Sequence, residues 1–216
     1  MRRRRPAAPG RFVVLEGLDG AGTTTQAALL AERLRAAGRR VHLTAEPSAG
    51  PVGALIRQIL RGRIGGGRGG REPFSGWGLA LLFAADRQDH FDTEIAPKLA
   101  DGIDVVCDRF TMSSLAYQGA QLGDVDWVAG ANREAADTDL VVFLRVRPEI
   151  ALGRRHAASV DREIFEVDAF QRKVARRYDE AIRRLRRAGE RVVEVDGEAS
   201  VEEVAAAVWD AVRRLR

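Results

Sequence analysis

The stretch GLDGAGTTTQ, residues 17–26, carries the residue types of a phosphate cradle. Gly17, Gly20 and Gly22 let the backbone curl until its N–H groups face an anion, and a helix beginning just after them adds its positive end. The spacing G-x-x-x-x-G-K-[ST] is met by Gly17, Gly22 and Thr24, with Leu18, Asp19, Ala21 and Thr25 completing the loop. Thr24 is placed to ligate Mg²⁺ through its hydroxyl. Thr23 stands where the pattern has lysine. Lys98 and Lys173 are the only lysines, but a lysine-poor chain should put arginine there, so composition does not account for Thr23. A second pair of charges, Asp108 and Arg109 in CDRF (107–110), closes an apolar run. Charges at the end of a buried strand point toward a ligand.

These groups need elements to hold them. RFVVLEG (11–17) is a β-branched apolar run that meets the glycine loop, and TTQAALLAERLRAAG (24–38) follows with helical spacing and a glycine stop. RVHLTAEP (40–47), IDVVCDRF (103–110), DLVVFLRV (139–146) and RVVEVDG (191–197) read as further strands. Helices are predicted over 52–63 and 74–102, the latter interrupted at Pro97, with a glycine-rich loop at 64–73. Long arginine-rich helices are predicted on both sides of the last strand. Strands that are continuously apolar and alternate with helices imply a parallel sheet covered on both faces, an α/β fold with ligands at the carboxyl ends of its strands.

Composition bounds the class. The 216 residues suffice for one domain, and 35 basic against 31 acidic side chains give a formal charge of only +4. Arg2–Arg5 are read as a disordered basic tail over 1–10, not as a nucleic-acid site. No apolar run approaches the roughly 20 residues of a membrane span, and Met1–Gly10 has no apolar core of a secretory leader. The single cysteine, Cys107, excludes an internal disulfide and fits a cytoplasmic setting.

FVVLEGLDGAGTTTQ, LLFAADR (81–87), CDRFTMSSLAYQG (107–119) and DAFQRKVARRYDEA (168–181) together resemble thymidylate kinases in order and spacing, over residues 11–216. The resemblance implies a P-loop nucleoside monophosphate kinase fold with a five-stranded parallel sheet. It implies transfer of the γ-phosphoryl group of ATP to dTMP with Mg²⁺, and a homodimer formed through helices beside the sheet. Phe83 is implied to stack on thymine and Arg87 to donate to its O4 edge. Ser114, Tyr117 and Gln118 are implied to frame the nucleoside, with Tyr117 selecting against a ribose hydroxyl. Asp108 and Asp19 are implied to help hold the metal, Arg109 the phosphates, and Arg57 the monophosphate. A mobile lid is implied at about 153–166, where Arg154, Arg155 and Arg162 are candidates to close over the transferring group.

Three positions depart from the family pattern: Thr23 for lysine, Ala45 for the arginine before Glu46–Pro47, and Arg145 for a frequent aspartate. An arginine buried in a strand is costly unless paired. Arg145 is therefore expected either to reach the β/γ-phosphates and restore the missing charge or to be held by Glu16. Two other readings stand beside the kinase: a nucleotide-binding homologue with weak or no activity, and a kinase of another pyrimidine monophosphate, dUMP.

Overall fold

In this computed structural model, the described residues are 9–70, 72–157 and 164–215, with backbone alone at 68, 155–157 and 164–168. They form a five-stranded parallel sheet in the order β2-β3-β1-β4-β5. Its strands are β1 (Phe12–Gly17), β2 (Val41–Ala45), β3 (Asp104–Asp108), β4 (Leu140–Arg145) and β5 (Val192–Asp196). β1 lies between β3 and β4, and every residue of β1 and β3 is buried. That is why Phe12–Leu15 and Val105–Cys107 read as continuous apolar runs, whereas the edge strand β2 is only partly covered. Glu16 is the exception in β1, an acidic side chain with no exposed surface.

Helices α1 (Thr23–Ala36), α2 (Pro51–Leu60), α3 (Gly76–His90), α4 (Ala96–Ala100), α5 (Thr111–Leu122), α6 (Val125–Ala131), α7 (Pro148–Ala157), α8 (Ile164–Arg187) and α9 (Val201–Val212) surround the sheet. The chain does not break at Pro97. A π-helical turn, Phe91–Ile95, joins α3 to α4, and Ala96 N–H donates to Phe91 O. Proline cannot donate and crowds the preceding turn, and the wider turn accommodates both. α5 and α6 fill 111–131, where no element is predicted from sequence. α9 is acidic and apolar, not arginine-rich; its arginines begin only at Arg213.

At the amino ends of the strands, Asp104 is 1% exposed and receives Arg11 at 2.7 Å and Arg39 at 2.6 Å. This ion triad ties the entries of β1, β2 and β3 together. The carboxyl ends, which carry the site, are held by backbone bonds from Glu46 N to Asp108 O and from Arg109 N to Leu15 O. Cys107 is wholly buried in β3, and its thiol donates to Arg109 O at 3.0 Å.

Candidate active site

The glycine loop leaves β1 with Gly17 and Leu18 as its stem and Asp19–Thr25 facing a cleft of about 760 Å³. Gly20 and Gly22 have φ of +92° and +91°, a region that side chains with Cβ rarely enter. A Cβ on Gly20 would also lie 2.2 Å from Ala151 O. Gly22 caps α1 without a side chain, and the first turn of α1 carries no acidic residue. The first-turn N–H groups and the positive helix end are therefore open to an anion in the cleft. Thr23 is 5% exposed beside the loop stem and also lines this cleft. Across from it lie Arg154 of α7 and the chain from Gly197 to Val201 that starts α9. Arg154 donates to Gly197 O at 2.7 Å and Glu198 O at 3.4 Å.

A second cleft, of about 240 Å³, adjoins the first and shares Asp19 and Arg109 with it. It gathers Phe83 and Arg87 of α3 with Ser114, Tyr117 and Gln118 of α5, closed by Glu46, Pro47, Leu60 and Ser113. Phe83 is rooted in the small apolar cluster of Ile56, Ile59 and Leu79 between α2 and α3. Arg87 is 2% exposed and bonds to Glu46 at 2.6 Å, to Ser114 Oγ and Phe110 O at 3.1 Å each, and to Asn132. Asp86, on the same helix, holds the backbone and hydroxyl of Ser48.

Arg109 joins the two clefts. Its backbone sits at φ +74°, in the left-handed region, the one such non-glycine among the described residues. That geometry turns the guanidinium back under the loop, where it donates to Gly17 O at 2.9 Å, Asp19 at 2.8 Å, Ser113 Oγ at 3.1 Å and Tyr178 Oη at 3.2 Å. Burial works against its charge, but Tyr178, Tyr117, Asp19 and Glu16 around it keep it protonated well above the ordinary range. Burial likewise pushes the Tyr117 and Tyr178 hydroxyls up, so both stay neutral. Tyr117 Oη accepts from the loop at Asp19 N, 2.9 Å away. Glu16 takes Phe110 N at 2.8 Å, Ser113 N at 3.0 Å, Ser113 Oγ at 2.6 Å and Tyr178 Oη at 3.2 Å. Burial raises its pKa, and the nearby Arg109 opposes the rise.

The structure departs from expectation at Arg145. Its side chain is half exposed at the carboxyl end of β4, stacked on Phe143 and paired with Glu194 at 2.5 Å and Asp179 at 2.8 Å. It reaches neither Glu16 nor the phosphate-loop cleft. Glu16 is already saturated, and the Phe143 and Tyr178 rings pack 5.0 Å apart beside it, so Arg145 turns outward to β5. Arg57 does not line the smaller cleft but reaches Pro47 in its wall. It donates to Pro47 O and Ser48 O, clamping the loop after β2, and lines a neighbouring hollow with Thr24, Ala45 and Asp108. Arg162 lies outside the described residues, as do residues 1–8 of the expected tail and 158–163 of the expected lid.

The family model described as thymidylate kinase matches residues 15–208. The chain belongs to the thymidylate kinase family. It is 41% identical over 217 residues to a thymidylate kinase of Rhodopseudomonas palustris, covering 96% of this chain and 90% of that one. It is 40% identical over 188 residues to a putative thymidylate kinase of Aeropyrum pernix, covering 87% and 86%. A thymidylate kinase of Synechococcus is 39% identical over 205 residues, covering 93% of each. The family consists of phosphotransferases acting on nucleoside monophosphates, which agrees with two clefts meeting at one arginine.

Several residues of the site escape sequence reading. Tyr178 sits inside the block DAFQRKVARRYDEA, so its neighbourhood is legible though its reach to Gly17 O at 2.9 Å is not. Glu46 lies in the strand-end pair Glu46–Pro47, but nothing in its spacing joins it to Arg87. Asn132 and the stretch Gly197–Val201 carry no sequence signal.

Proposed function

We propose that this chain is a thymidylate kinase, transferring the γ-phosphoryl group of ATP to dTMP to give ADP and dTDP. The observation that carries the reading is the pair of adjoining clefts sharing Asp19 and Arg109. The loop cleft has the N–H groups and helix end that bind a polyphosphate. The smaller cleft has an aromatic face, apolar walls and buried polar groups suited to one pyrimidine nucleotide. Gln118 makes no side-chain hydrogen bond among the described residues, which leaves its amide for a ligand. A dTMP phosphate oxygen then attacks the γ-phosphorus in line, the bond to the β-phosphate oxygen breaks, and ADP leaves. Arg109 stays charged where the phosphates meet, and Arg154 faces the donor phosphates. Asp19, hydrogen-bonded to Arg109, holds that guanidinium toward the junction.

The residues present fit Mg²⁺. Thr24 Oγ1 donates to Asp108 Oδ2 at 2.5 Å, while Asp108 Oδ1 is buried without a partner. Among the described residues no group of three acidic, histidine or cysteine side chains gathers, so Thr24 and Asp108 would hold the ion with phosphate oxygens and water completing the shell. Bound there, Mg²⁺ supplies charge neutralisation on the phosphates.

A homodimer through the α2–α3 side is part of the same proposal, since Leu55, Leu60, Trp77 and Leu81 expose large apolar side chains there. Sedimentation velocity checks it: a monomer at micromolar concentration overturns it. No described helix is long and apolar enough to cross a membrane. The deciding experiment for the activity is ADP release with ATP and Mg²⁺ against dTMP, dUMP, dCMP and purine monophosphates. Turnover highest with dTMP supports the proposal. Preference for dUMP, or no turnover with any acceptor, refutes it.

A further inference from the structure

Behind the wall of the smaller cleft runs a buried line of polar groups. Arg87 hands one donor to Glu46 Oε2 at 2.6 Å. The other oxygen, Glu46 Oε1, is buried and has no hydrogen bond. His90, one turn after Arg87 on α3 and 1% exposed, has an equally unpartnered Nδ1. These two orphans face each other across 3.5 Å. The far side of the imidazole is held: Nε2 lies 2.8 Å from Thr44 Oγ1 and 3.5 Å from Glu94 Oε1, which in turn takes His42 at 2.7 Å. His90 lines neither cleft.

A buried acceptor and a buried donor left unpaired each carry a desolvation cost. An approach of a few tenths of an ångström from Nδ1–H to Oε1 satisfies both. The titratable and charged groups around the ring are Glu46 beyond β2, His42 on β2, Glu94 in the π-helical turn, and Asp86 and Arg87 on α3. Burial opposes a charged imidazole, yet the hydrogen bond to Glu46 and the charges of Glu46, Glu94 and Asp86 raise its pKa overall. Glu46 is held from one side by Arg87 and faces this ring on the other. A carboxylate free to rotate would let the guanidinium move with it.

We propose that His90 is a positioning residue for the acceptor: by donating from Nδ1 to Glu46 it fixes Arg87 in the cleft wall, and it touches no substrate atom itself. The proposal rests on reading the smaller cleft as the dTMP site. It assigns His90 an effect on acceptor affinity, not on the donor or the chemical step.

The test compares His90→Asn with His90→Gln. The asparagine amide sits near the imidazole Nδ1 and keeps a donor for Glu46, whereas the glutamine amide reaches the Nε2 side. His90→Gln should raise the KM and the calorimetric Kd for dTMP roughly tenfold, the loss of one buried hydrogen bond, with kcat and the KM for ATP within about twofold. His90→Asn should restore most of that loss. Glu46→Gln should also weaken dTMP alone, and the double variant His90→Gln/Glu46→Gln should be no worse than Glu46→Gln. Unchanged dTMP affinity in His90→Gln, equal losses for both substrates, identical behaviour of Asn and Gln, or additive losses each overturn the proposal. If His90→Gln does not fold, a loss in Glu46→Gln shared by ATP and dTMP overturns it, and one confined to dTMP supports it. Wild-type protein that fails to bind dTMP at all refutes the functional reading instead.

Discussion

Replacing Arg154 with alanine should slow phosphoryl transfer while leaving dTMP binding unchanged, and the way the side chain is held sets the size of the loss. A guanidinium has five N–H donors. Arg154 spends one on Gly197 O and one, weakly at 3.4 Å, on Glu198 O. Both acceptors are neutral carbonyls, and the Glu198 carboxylate feels the Arg154 charge without a hydrogen bond to it, so three donors remain for phosphate oxygens in the cleft. Arg145, by contrast, is committed to two carboxylates. With Thr23 in the lysine position, Arg154 is the described arginine that lines the loop cleft from the α7 side. Removing one charged transition-state donor costs about 10²–10³-fold in rate, roughly 3–4 kcal/mol. kcat for ADP release at saturating ATP and dTMP should fall by that factor. Thr23→Lys in the Arg154→Ala background should recover at least about tenfold, because a lysine there extends into the same cleft and the two substitutions should not act independently. A kcat for Arg154→Ala within about threefold of the parent, under 1 kcal/mol, would refute the assignment.

Arg145→Ala should leave kcat unchanged and lower the unfolding free energy by about 1 kcal/mol, since its pairs are half exposed; parallel turnover assays and urea titrations check both. Asp104→Asn should cost about 2 kcal/mol at neutral pH, discounted from a fully buried pair because Arg39 is half exposed. Burial opposes the Asp104 charge, but Arg39 and Arg11 hold its carboxyl far below the usual range. Its contribution is thus present above the ordinary carboxylate pKa and lost as pH falls through the depressed one, so parent and variant should converge in acid. His90 runs the other way: its raised pKa gives stability that is complete below about 6.5 and lost as pH rises through the folded value. Melting curves between pH 5 and 9 should show a fall in the parent that His90→Asn flattens.

What was legible in the sequence is what is local. The five strands, the glycine loop and its following helix lie in contiguous runs whose periodicity states their burial. Phe83, Arg87, Ser114, Tyr117 and Gln118 sit in two short blocks, and two helices are enough to bring them to one cleft. Arg145 was misplaced because strand alternation fixes which face a side chain takes but not which neighbour it leans toward. That choice depended on Glu194 and Asp179, which lie 49 and 34 residues away. The partners of Arg57 were hidden for a similar reason: its acceptors are main-chain carbonyls, which every sequence has and none advertises. The Glu46–Arg87 pair joins a loop to a helix 41 residues on, and no spacing rule spans that gap.

The chain's one thiol is sealed inside β3, bonded to a carbonyl and held protonated by burial and by the carboxylates of Glu46, Asp108 and Glu16. Only the thiolate reacts readily with maleimides or methanethiosulfonates, so the native protein should be silent to such reagents without any cysteine being removed. A new cysteine at the rim of the loop cleft, for example at exposed Ser200, would then be the sole attachment point for an environment-sensitive dye. The fold supplies a clean background on which the filling of that cleft can be followed.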